Sequence, residues 1–369
     1  MKVGIVGPIS KDRIIWPNGE AAVKFGSVVY SATVLAKLFE TSPDEVVCIT
    51  HMDSSDAATI TGLLAHPNIR LAGSGSAAGQ GTEIELRYLD QHERISRQTR
   101  IMTPISFAEL SMAADCDYII LMPLNQTDIE LAQVLHFRQR STAVIFLDLH
   151  GLITGVNEQG KRYRKNWEQP EAWLKAIDIL KMNDKEAAWA AGRQLENFAD
   201  YLQFAVDTVK KQLIACWITF GDRSSLVVWR RDRKMFWATV PVTNTGEVVD
   251  TIGCGDAASA GFIYAYAKLH SPLIAVVMGN MLGSVKAATC EANHFPTRPE
   301  VRSLIYQHYR EYFHNLLDEF LSQQHLIVNE IKEDMEHESL VYGPNGDRYC
   351  HGADDARGSH SQESAAPWT

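Results

Sequence analysis

From Cys116 onward, short apolar runs alternate with segments of helical period. Tyr118–Met122 reads as a buried strand, Asp128–Arg138 as a helix, and Ala143–Leu147 as a strand closing on Asp148-Leu149-His150-Gly151. Ile177–Asn183, Leu213–Thr219 and Leu226–Trp229 extend the strand series, and Lys2–Gly7 and Val46–Thr50 begin it. Parallel strands need long crossovers, and helices supply them with a right-handed sense. The pattern predicts an α/β fold: a central, mostly parallel sheet flanked by helices, with ligands at the carboxyl ends of its strands. Two further stretches do not fit that sheet. Pro17-Asn18-Gly19-Glu20 turns between two short extended pieces, and Glu83–Leu89 and Ile95–Ile101 alternate polar and apolar residues about a turn at Asp90–Glu93. Together they predict a small second sheet with one wet face.

The densest chemistry lies at Val248–Phe262. Val248-Val249 reads as extended, Gly253-Cys254-Gly255 as a turn, and Asp256 as the opening of an apolar helix that ends near Lys268, His270 and Pro272. A helix N-terminus after such a turn presents unpaired N–H groups and a positive dipole end to an anion. A carboxylate there repels a phosphate that is merely bound. It is useful if it takes a proton from a hydroxyl while the amides stabilise the phosphoryl group under attack. The plain alternative is an Asp favoured in a helix's first turn.

Asp250-Thr251-Ile252-Gly253-Cys254-Gly255-Asp256 resembles the second signature of the ribokinase-like (PfkB) carbohydrate and nucleoside kinases, with Cys254 where Ala is usual. The resemblance spans about residues 1–300. It implies an ATP-dependent phosphotransferase acting on a hydroxyl of a small sugar, polyol or nucleoside. Asp256 would be the base, and Gly253, Cys254 and Gly255 the anion hole. Asp12, Gly26 and Ser27, together with Asp256, would meet the acceptor, with Phe25-Gly26-Ser27 standing where the family carries Gly-Gly. Asn183 and Glu186 match the family's Asn-x-x-Glu element, implying phosphate contacts and Mg²⁺ organised by Glu186 through water; the same pair can form a capping box. Thr219 and Gly221 match a nucleotide-packing turn whose second glycine is Ser224 here, and Asn280 falls near the expected adenine. The resemblance also implies a lid from about 10–23 and 82–103, and admits a monovalent cation near Asp250 and a homodimer. His150 reads as structural, since no partner pattern accompanies it.

With 46% hydrophobic and 22% charged residues, the chain has the composition of an ordinary globular protein. A net charge of −10 argues against nucleic acid or an anionic membrane as the main partner. The six cysteines lack CxxC or CxxH spacing, which argues against zinc and disulfide frameworks. No apolar run is long enough to span a bilayer, and the expected location is the cytoplasm. Two other function classes bear on the same sequence. A ribokinase-fold binding protein without phosphoryl transfer would keep the same motifs, and a nicotinamide oxidoreductase would need a Gly-x-Gly-x-x-Gly turn after the first strand, which is absent. Beyond residue 300, Thr297-Arg298-Pro299-Glu300 starts a helix. Residues 301–340 are expected to form a helical extension, including an acidic helix over 322–340, and 341–369 a disordered tail.

Overall fold

The computed structural model describes residues 1–73, 75–89, 94–318 and 329–331. Residues Met1–Lys332 form one compact unit; Glu333–Thr369 lie outside the described residues. Its spine is a ten-stranded sheet in the order Asn329–Ile331, Lys234–Pro241, Ser224–Arg231, Ala215–Thr219, Ile179–Asn183, Val144–Asp148, Tyr118–Leu121, Lys2–Val6, Glu45–Ile49 and Ile69–Leu71. Every pairing from Ile69–Leu71 to Ala215–Thr219 is parallel, and the remaining strands pair antiparallel. The parallel strands are buried along nearly their whole length, as strands covered by helices on both faces must be.

Helices Val28–Leu38, Cys254–Leu269 and Pro272–Ala287 pack together, largely buried. Their register on the sheet rests on aromatic contacts. Trp217, fully buried, stacks on Phe262 at 5.2 Å between ring centroids, and Phe146 meets the same ring at 5.5 Å. Alternation of side chains along each strand sends one set of residues to this face.

A separate four-stranded sheet, in the order Ala21–Phe25, Ser10–Ile15, Thr82–Tyr88 and Arg94–Arg100, is the second sheet expected from the wet-faced alternation. Its inner side carries Ile14, Ile84 and Leu86, a small core of its own.

Three expectations change. Val248-Val249 is not a strand: both side chains are exposed, and Val249 and Asp250 instead donate backbone bonds to Ala287 O. A β-prone dipeptide with no neighbouring strand edge has nothing to pair with. Within 322–340, Asn329–Ile331 is an edge strand on Lys234–Pro241, with the rest outside the described residues, as is the 341–369 tail. The Arg298–Asp318 helix buries Val301 and Tyr309 within the same compact unit, so no break falls at residue 300.

Because Trp217 fills the space between sheet and helices, Trp217→Ala is expected to cost roughly 3–5 kcal/mol through lost contacts and a cavity. A urea titration checks it; a midpoint unchanged from wild type would show that the helix layer does not depend on this ring.

Candidate active site

A cavity of about 950 Å³ opens where the parallel strands end, between their carboxyl termini and the lid sheet. Strand ends supply Met122, Asp148, Asn183 and Thr219; the lid supplies Ser10, Asp12, Ile84 and Leu86; the glycine turn supplies Thr251 to Asp256.

The helix begins at Cys254, with Gly253 as its cap at φ 82°, a left-handed conformation open to glycine. A Cβ there would lie 2.4 Å from Tyr30 Cδ2, so glycine is required twice over. The Cys254 N–H turns to Thr251 O, while the Gly255 and Asp256 amides have no acceptor among the described residues. Ser31 Oγ donates to Asp256 O at 2.8 Å and ties this turn to the Val28–Leu38 helix.

Asp256 sits among cations and other carboxylates. Burial, then the nearby charges of Asp148 and Asp12, raise its carboxyl to about 7 against the opposing pull of Lys181 and Lys286. Lys181 is itself buried; its Nζ donates to Asp148 Oδ2 (2.6 Å), Gly255 O (2.8 Å) and Ser259 Oγ (3.0 Å). The Cys254 thiol is pushed up to about 11, chiefly by burial and against the helix end and Lys286.

On the lid side, Asp12 is buried and accepts from Ser10 Oγ at 3.1 Å. Gly26 lies behind the cavity wall, where a Cβ would press on Ser10 Oγ and Asp12 Oδ2. Ser27 lines the cavity at φ 53°, ψ −108°, a strained backbone, with its buried hydroxyl unbonded among the described residues. Strain and an unmet hydroxyl beside a buried carboxylate mark a place prepared for a polar ligand.

At the far end, Asn183 and Glu186 form the expected capping box: Asn183 Oδ1 accepts from Glu186 N (2.8 Å), and Glu186 Oε2 from Asn183 N (3.0 Å). Thr219 and Gly221 line the same end, Gly221 at φ 66°.

Three site expectations are corrected. Asn280 does not reach the cavity. It is buried, accepts from Ser225 Oγ at 2.8 Å and donates to Val240 O at 3.3 Å, pinning a helix to the sheet. A monovalent cation near Asp250 does not fit, because Lys24 Nζ (2.7 Å) and Lys286 Nζ (3.3 Å) already occupy Asp250 Oδ2. Glu186, expected to organise Mg²⁺ through water, has Oε1 held by His150 Nδ1 (2.7 Å) and Arg164 Nη2 (3.3 Å) and Oε2 in the capping box. His150, expected to be structural, faces the cavity. Lys181, Asp148, Arg162 and Arg164 were not singled out as site residues. The available signal was Arg162-Tyr163-Arg164, since residues two apart on a strand share a face.

Residues 161–298 match the sequence profile of the pfkB family of carbohydrate kinases. Over 117 residues the chain is 29% identical to a nucleoside kinase of Methanocaldococcus jannaschii, covering 31% of this chain and 37% of that protein. It thus spans little more than a third of the length of the curated relative it matches. A pyrophosphate-dependent kinase in the ribokinase family, in a sulfate complex, superimposes with a TM-score of 0.66 at 19% identity, over 82% of this chain and 99% of that one. The ribokinase of Arabidopsis thaliana, complexed with ribose and ATP, does so with a TM-score of 0.66 at 15% identity, over 82% and 98%. Residues 161–298 thus resemble the pfkB family, and the chain has a ribokinase-like fold.

Two outcomes are expected of this site. If Asp256 must lose its proton to work, kcat/KM will be low in acid and rise to a plateau through an apparent pKa near 7. A profile flat from pH 5 to 9 would remove a group titrating near about 7 from the rate. Separately, iodoacetamide at pH 8 followed by mass spectrometry should label exposed Cys290 well before Cys254, whose thiol stays protonated. Equal labelling would contradict the enclosed turn.

Proposed function

We propose that this protein is an ATP-dependent phosphotransferase that acts on a hydroxyl of a small sugar, polyol or nucleoside. The observation that carries the reading is Asp256 in the first turn of a helix, beside the Gly255 amide, with its carboxyl raised to about 7 and facing the cavity. A base of that strength can take a hydroxyl proton near neutral pH, where an ordinary carboxylate is too weak an acceptor.

The acceptor would lie under the lid, its hydroxyls met by Asp12 and Ser27 and one of them directed at Asp256. As the hydroxyl oxygen attacks the terminal phosphorus, its proton passes to Asp256 and the bond to the leaving phosphate breaks. The Gly255 and Asp256 amides, at the positive end of the helix, would stabilise the charge spread over the transferring group. The donor's remaining phosphates would extend toward Asn183, Thr219 and Gly221. Lid strands closing over this arrangement keep water from competing as the nucleophile.

The related proteins support this substrate class. One is a nucleoside kinase, one binds ribose and ATP, and a pyrophosphate-dependent member of the fold is seen with myo-inositol. Small-molecule hydroxyl compounds recur among them.

Asp256→Asn keeps shape and hydrogen bonding but cannot take the proton. It is expected to lower kcat by ~10²–10⁴ while donor affinity changes little. Turnover close to wild type in the acceptor that the native enzyme prefers would remove Asp256 from the role of base.

A further inference from the structure

Asp250 leads the chain into the glycine turn, and its Oδ1 accepts from Ile252 N at 2.9 Å, the local bond by which an aspartate shapes the loop after it. Its side chain is only 9% exposed. A carboxylate so enclosed stays ionised when cations are held beside it. Two ammoniums meet it, from different parts of the fold. Lys24 Nζ, on a lid strand, lies 2.7 Å from Asp250 Oδ2, and Lys286 Nζ, in the last turn of the Pro272–Ala287 helix, lies 3.3 Å from the same oxygen.

Lys286 is the more unusual of the two, because lysine is seldom fully buried unless paired. Its side chain is wholly enclosed, and beyond Asp250 the ammonium donates to Thr289 O at 3.0 Å and lies 5.2 Å from the centre of the Tyr30 ring. A carboxylate oxygen, a carbonyl and an aromatic face together suit any compact monovalent cation. The Tyr30 ring also closes on Gly253, where an added Cβ would lie 2.4 Å from Cδ2. The ammonium therefore bears on both ends of the turn, on Asp250 directly and on Gly253 through the ring. Its charge reaches Asp256 and Cys254 as well and favours their ionised forms.

We infer that Lys286 serves the glycine turn as a tethered monovalent cation, and that Lys24, on the same carboxylate, links the shape of the turn to the seating of the lid. An exchangeable ion approaching Oδ2 would meet two like charges already in contact with it. Lys286 is thus a positioning residue: it touches neither acceptor nor donor and acts through Asp250 and Tyr30. This deepens the kinase reading and rests on it for turnover, while the cation assignment itself shows in stability.

Melting curves of the full chain in sodium, potassium and choline chlorides at matched ionic strength test the assignment. Turnover is measured alongside, with ATP-Mg²⁺ and whichever of ribose, adenosine and myo-inositol the native protein phosphorylates. Native protein should melt at one temperature and turn over at one rate in all three salts. Lys286→Met keeps the bulk of the stem without its charge and should lower the melting temperature by about 5 °C, the result of withdrawing an ammonium from a buried carboxylate. No added cation should restore it, because the methionine fills the space. Lys286→Ala leaves that space open, so ethylammonium or potassium, but not choline, should recover much of its lost stability and rate by binding the folded state. Lys24→Met removes the lid link and should raise the acceptor's KM severalfold while leaving the donor's KM in place. Native protein stabilised or activated by potassium beyond sodium overturns the assignment, as does a Lys286→Met chain as stable and active as wild type. A Lys286→Ala loss that neither ethylammonium nor potassium relieves would reduce the side chain to packing and overturn it too. An unchanged acceptor KM in Lys24→Met would break the link to the lid. Should neither Lys286 variant fold, the salt comparison on native protein and the Lys24→Met split decide the point. Native protein that phosphorylates none of the three acceptors would count against the kinase reading, and its melting curves would still decide the cation.

Discussion

Much of the site depends on one buried ammonium. Lys181, on a central strand, binds Asp148 at the end of the adjacent strand and both Gly255 O and Ser259 Oγ in the helix beyond. A charge taken out of water is stable only when fully paired, and losing any partner leaves the rest costly. Those three contacts therefore hold the first turn of the helix at a set height above the strand ends. The same group tempers Asp256: Asp148 raises its carboxyl and Lys181 restrains it, behind the larger effect of burial. The contacts that hold the turn in place thus also modulate the Asp256 carboxyl.

The lid is attached by a second charged cluster. Lys24, on a lid strand, reaches Asp250, whose other oxygen accepts from Ile252 N at 2.9 Å in the glycine turn. Burial works against an ionised Asp250, but the Lys24 hydrogen bond and the Lys286 charge bring it below its ordinary value. Lys286, fully buried, also donates to Thr289 O at 3.0 Å and lies over the Tyr30 ring at 5.2 Å. The position where a bound cation was expected is thus supplied by two side-chain ammoniums, which arrive with the fold and need no recruitment from solvent.

Asp12 and Ser27 line the lid end of the cavity, and Asn183, Thr219 and Gly221 its opposite end. Asp256 and the helix N-terminus lie in the same cavity. In the proposed reaction, a phosphoryl group transferred there would meet stabilising dipoles already in place, leaving little reorganisation for the reaction itself.

The sequence by itself determined the parallel sheet, the lid strands and the Gly253–Asp256 turn, because period, glycine and chain order act over a few residues. It also determined the Asn183–Glu186 capping box, which closes across one helical turn. What it could not determine were partners distant in the chain. Glu186 reads locally as a free carboxylate near a metal; only folding brings His150 and Arg164 onto its oxygen. Asn280 reads as a ligand contact until the strand at Ser225 claims it, and Val248-Val249 reads as a strand until no edge is found for it to join. The tertiary structure decided each of these, because a polar group's role depends on which donors and charges surround it, and those come from segments far apart in the sequence.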